Sequence, residues 1–90
     1  MIEEQLNEKV QRYEMLTKNA LGKTETAKGL KGKQKDIAEY FLEMARNYFF
    51  DAKHFREKGD LVNALAALSY AYGWIDAGIK AEILKIKEQD

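Results

Sequence analysis

The side chains able to do chemistry are few, and their spacing limits what each can do. His54 is the sole histidine and follows Asp51 by three residues, so on a helix the carboxylate and the imidazole share a face. Acidic-x-x-His spacing supplies ligands in di-iron helical bundles, but such a centre needs a second copy of the motif and two further carboxylates. With no cysteine and one histidine, a zinc site would draw most of its ligands from carboxylates. No metal and no cofactor is therefore assigned. His54 reads as a residue near a helix C-terminus, where its protonated form is favoured, with Asp51 as its partner.

Nucleophilic chemistry has as little support. Ser69 is the only serine and has no histidine three or four residues away, so no base is at hand to take its proton. It belongs instead to a polar strip with Gly73, Asp76 and Lys80. Gly22-Lys23-Thr24 matches the end of a phosphate-binding loop, but that motif requires glycine where Thr17 stands and a strand before the loop. No catalytic residue is assigned, and the chain reads as a non-enzymatic protein.

Two groups remain as candidate binding residues. Tyr70 and Trp74 point away from the main Leu/Ile stripe of their helix, where they either pack on helix 1 or helix 2 or form an exposed apolar patch, and aromatic rings of this kind anchor interfaces. With Ser69, Asp76 and His54 they form the candidate binding set, the partner being a second copy of the chain or another protein. Lys28, Lys31, Lys33 and Lys35 form a second, phosphate-directed set. Five lysines against one glutamate give residues 22–35 a formal charge of +4, where residues 1–21 carry −1 and residues 36–90 carry −3. An alternative function follows, in which this loop and His54 bind RNA, a nucleotide or a phosphate ligand. The loop has no interleaved aromatics for base stacking, and the net charge of zero argues against a general polyanion binder.

These residues must be positioned by helices. Ile2, Leu6, Val10, Tyr13, Leu16 and Ala20 recur every three or four residues and predict an amphipathic helix over about 2–21. The Lys/Gly-rich stretch, about 22–35, is long for a connection and is expected to be a mobile loop, or a short helical turn capped by Thr24. Ile37, Phe41, Met44, Tyr48, Ala52 and Phe55 predict a helix over about 36–58. Lys58-Gly59-Asp60 then reads as a helix stop followed by an N-cap. Leu61, Leu65, Leu68, Tyr72, Ile75, Ile79, Ile83 and Ile86 fall within about 80° of arc and predict a helix over about 61–87. Beside them run Ala64, Ala67, Ala71 and Gly78, which let another backbone come close. Tyr48 and Tyr72 are assigned to the core. Gly73 and Gly78 each cost about 1 kcal/mol in a helix interior, so a packing or access reason is required for both.

The expected fold is all-α, an up-down-up three-helix bundle in which helices 2 and 3 form a long αα-hairpin, within a single domain over 1–90. Apolar stretches are broken by charge every few residues, so neither a membrane span nor a signal peptide is expected, and the absence of cysteine fits a cytoplasmic setting. A chain of ninety residues buries only about 60–65% of its unfolded surface, which makes self-association a natural supplement to its stability.

Asp51-Ala52, His54-Phe55, Lys58-Gly59-Asp60, Ala64 and the run from Ser69 to Gly78, ending Gly-Trp-Ile-Asp-Ala-Gly, together resemble an archaeal family known as domain of unknown function 357. The resemblance covers roughly Ala38 to Leu84. It implies a small archaeal helical bundle and brings no activity, cofactor or catalytic residue with it. The function expected is that of a protein-interaction or self-association module.

Overall fold

The structure is a computed structural model that describes residues 2–88. Three helices, α1 (Ile2–Lys23), α2 (Lys33–Glu57) and α3 (Leu61–Lys80), are joined by two short strands, β1 (Thr24–Thr26) and β2 (Leu84–Ile86). As the heptad-like steps require, α2 and α3 pack along their whole length as an antiparallel hairpin, and α1 lies mainly on α3.

Small residues set that closeness. Ala38, Ala45 and Ala52 on α2 and Ala64, Ala71 and Gly78 on α3 are all buried, each set stepping by seven so that it stays on one face. Without bulky side chains between them the two helices are free to pack closely. The main core gathers around Val10, Phe49, Leu68 and these alanines, with Leu6, Tyr48, Phe55 and Leu65 at its margin.

The hairpin turn is locked at one residue. Gly59 has φ +81°, its N–H donates to the Arg56 carbonyl, and the Asp60 N–H donates to the Phe55 carbonyl, the paired bonds of a Schellman C-cap. The carboxylate of Asp60 then accepts from the Asn63 backbone N–H at 3.3 Å, capping α3.

The structure corrects the expected boundaries at both ends of the open side. α3 stops at Lys80, not near residue 87, because the chain makes a second Schellman turn: Glu82, at φ +62°, donates its N–H to Ile79, and Ile83 donates to Gly78. Ile83 and Leu84 then fold back over Ala38 and Leu42 in a second core cluster. Ile79, Ile83 and Ile86 keep a helical step although the backbone has left the helix. In the Lys/Gly-rich stretch, α1 runs on to Lys23 and residues 24–26 are strand rather than loop or helical turn. β1 pairs antiparallel with β2, Thr24 opposite Ile86, Glu25 opposite Lys85 and Thr26 opposite Leu84. α2 begins at Lys33, just after Gly32 at φ +56°. This ribbon closes the open end of the hairpin.

Candidate interaction face on the central helix

The exposed arc of α3 is where the candidate residues converge. Buried Ala64, Ala67, Leu68, Ala71, Ile75 and Gly78 fill one side of the helix, leaving Ala66, Ser69, Gly73, Asp76, Ala77 and Lys80 exposed along the other. Ser69 donates its hydroxyl to the Leu65 carbonyl at 3.1 Å, so its hydrogen is directed into its own helix. Asp76 and Lys80 form an exposed ion pair at 3.3 Å.

A groove runs on either side of this ridge. Toward α1, Tyr13, Leu16 and Thr17 face Leu65, Ser69 and Tyr72 across a cleft of about 320 Å³. Toward α2, Phe41 faces Tyr70, Gly73, Trp74 and Ala77 across a second of about 320 Å³. Neither is lined by a charged side chain. Ser69 borders both grooves, which places it on the crest between them.

The aromatic residues do not project freely. Trp74 is half-buried and meets Phe41 edge-on at 4.9 Å and Tyr40 edge-on at 5.8 Å. Tyr70 stacks on Tyr48 at 5.2 Å yet remains 61% exposed. Both therefore pack on α2 while presenting a face to solvent. The assignment of Tyr72 to the core is corrected: it is 49% exposed, because the α1 side of α3 opens into the first groove. Tyr13, Leu16 and Phe41 complete the walls; spacing placed them on the apolar stripes of their helices and not at a site. Their periodicity fixes an angle about a helix axis but does not say whether a neighbour covers it.

The remaining candidates lie elsewhere. His54 is exposed in the last turns of α2, and Asp51 is not among its ion-pair partners in the described residues. Lys28 and Lys31 sit in the turn after β1, and Lys33 and Lys35 in the first turn of α2, all exposed. Lys35 and His54 stand nineteen helical steps apart, about 29 Å, so the structure does not bring the lysines and His54 into one site. Among the described residues, no group of three or more His, Asp or Glu side chains is placed to hold a metal ion, and no helix is long and apolar enough to cross a membrane.

One buried-edge ion pair lies on the opposite face. Arg56 Nε donates to Glu14 Oε2 at 2.6 Å and Arg56 Nη2 to Oε1 at 3.3 Å, tying α1 to the end of α2. The hydrogen bond first, and the charge of Glu14 second, raise the Arg56 pKa above its ordinary value.

A clasped αα-hairpin with a third helix along it and an aromatic face on its central helix defines a small helical-bundle protein. The chain belongs to the family described as protein of unknown function (DUF357), whose model matches residues 12–84. That span takes in the second half of α1 and the lysine-rich stretch as well as the hairpin. The crystal structure of protein AF1782 from Archaeoglobus fulgidus, of the same family, superposes with a TM-score of 0.80 at 23% identity, covering 97% of this chain and 100% of that one. It shares the fold. No curated protein matches the chain.

Proposed function

We propose that the protein is a non-enzymatic protein-interaction module that works through the exposed face of α3. The observation that supports this reading is the pair of uncharged apolar grooves flanking the Ala66, Ser69, Gly73 and Ala77 crest. Tyr13, Leu16, Tyr40, Val62, Tyr70 and Tyr72 are all among the exposed large hydrophobic residues, and they lie on this side. Contiguous apolar surface rimmed by polar groups is characteristic of docking sites, and Tyr and Trp are the side chains most enriched at their energetic centres. The small crest lets a partner helix approach α3 closely while the rings close around it.

Gly73→Arg tests the reading. Nothing lies within 4 Å of a Cβ built at Gly73, so the side chain starts into open space and the variant is expected to fold with an unchanged circular dichroism spectrum. It places a charge in the centre of the face. Protein complexes isolated from the native cell, self-complexes included, are expected to be lost. Complexes that survive the substitution would refute the reading.

A further inference from the structure

We infer that the groove between α1 and α2 binds a single strand of nucleic acid, whose phosphates meet Lys18, Arg46 and Lys53 and whose bases stack on Phe50. The site lies apart from the α3 face and does not rest on the docking reading above. Two clefts run end to end along the groove and share Lys18 and Phe49. The larger, about 530 Å³, lies beside the Arg56 to Glu14 pair, and the smaller, about 250 Å³, reaches Gly22. Neither takes a wall from α3. Their linings hold four cations, Lys18, Arg46, Lys53 and Arg56, against the single carboxylate of Glu14. A formal charge of +3 is thus gathered in one groove of a chain whose net charge is zero.

Three of these cations are uncommitted. Arg56 is held by Glu14, but among the described residues Lys18, Arg46 and Lys53 form no ion pair. Arg46 and Lys53 stand seven steps apart on α2, about 10 Å along its axis, with Phe49 and Phe50 between them. Phe49 is buried and forms the floor, and Lys53 Nζ lies 5.9 Å from the centre of its ring. Phe50 is 62% exposed, its ring centre 5.9 Å from that of Phe49. Arg46, four residues before Phe50, and Lys53, three after it, share its side of the helix. Charge alone suffices to hold a phosphate, whereas an exposed ring set between two cations adds a face on which a base can stack. The stretch from Lys28 to Lys35 has the charge without such a ring. A duplex keeps its bases stacked within itself and offers Phe50 no face, and an acidic peptide carries no succession of flat rings. The combination on α2 therefore fits a single strand, which a groove open along its length can follow.

Fluorescence anisotropy with labelled oligouridylate and oligothymidylate of about ten nucleotides tests the assignment, the two probes separating RNA from DNA. At least one is expected to bind the natural chain, with log K falling against log salt at a slope of about −2 for three phosphate contacts. Arg46→Gln and Lys53→Gln are each expected to reduce the magnitude of that slope by about 0.7. Phe50→Ala is expected to weaken binding about tenfold at an unchanged slope. Failure of both probes to bind at low salt would overturn the inference. Binding that survives these three substitutions and is lost when Lys28, Lys31, Lys33 and Lys35 are replaced by serine would move the contact to the loop and overturn it as well. Inorganic triphosphate, a matching duplex or polyglutamate displacing the probe as well as the unlabelled strand does would reveal a site that reads charge alone, and would overturn it too.

Discussion

Gly73 and Gly78 stand five residues apart on one helix for opposite reasons. A Cβ at Gly78 would lie 2.3 Å from Leu84 Cδ1 and 2.6 Å from its Cγ, and Leu84 is buried, so it has nowhere to retreat. Gly78→Ala is expected to destabilise the fold by about 1–2 kcal/mol, the overpacking cost exceeding the gain in helix propensity. Gly73→Ala meets no atom and is expected to stabilise it by up to about 1 kcal/mol. Urea titrations of the two variants side by side check the contrast. Glu82 is the mirror case, a side chain held at positive φ where glycine is the usual occupant. Glu82→Gly is expected to raise stability by about 1 kcal/mol, reduced by the added freedom of the unfolded chain. Spacing flagged Gly73 and Gly78 as needing a cause, but the cause at Gly78 depends on Leu84, which no local pattern ties to it.

At the scale of elements, the hairpin was legible because its signals are local: a 25-residue apolar period in α2, a glycine stop and an aspartate cap, all within the chain they organise. The β1–β2 ribbon was not, because three-residue strands have no period to detect and the pairing joins positions about sixty residues apart. Thr24 is the one local trace of it, buried with its hydroxyl donating to the Ala20 carbonyl at 2.6 Å. Leu84→Ala should cost about 2–4 kcal/mol, since it removes a fully buried side chain from the second core cluster, and thermal melts will register it. The Arg56 to Glu14 pair is the element-level tie on the other side. Because its partner raises the Arg56 pKa, the stability from that shift is complete below the ordinary guanidinium range and is lost only as pH climbs through the raised value. Glu14→Gln is therefore expected to lower stability by about 1 kcal/mol near neutrality, with both groups partly exposed.

As a whole molecule the protein is a slab of 49 × 29 × 18 Å. Its radius of gyration of 14.4 Å exceeds the roughly 12 Å of a compact chain of this length. Three helices side by side leave broad faces uncovered, which is why so much of the apolar stripe read as core, Tyr72 included, reaches solvent. The helix count and hairpin were readable from pattern, whereas the coverage of each face was not, because it depends on how three stripes share two neighbours. Native-state hydrogen exchange should rank the parts accordingly. Amides of the α2–α3 hairpin are expected to be protected longest, and those at the start of α1, where Ile2 is 81% exposed, to exchange first.

The position of the ribbon has a consequence for the chain as two pieces. β1 precedes Lys28 and Lys31, so a protease cutting at those exposed lysines separates α1 and β1 from α2, α3 and β2 without breaking a single strand pair. The nicked halves remain joined by the ribbon and by the packing of α1 on α3. The protein is thus already laid out for fragment complementation, its two parts able to find each other again after the covalent link is gone.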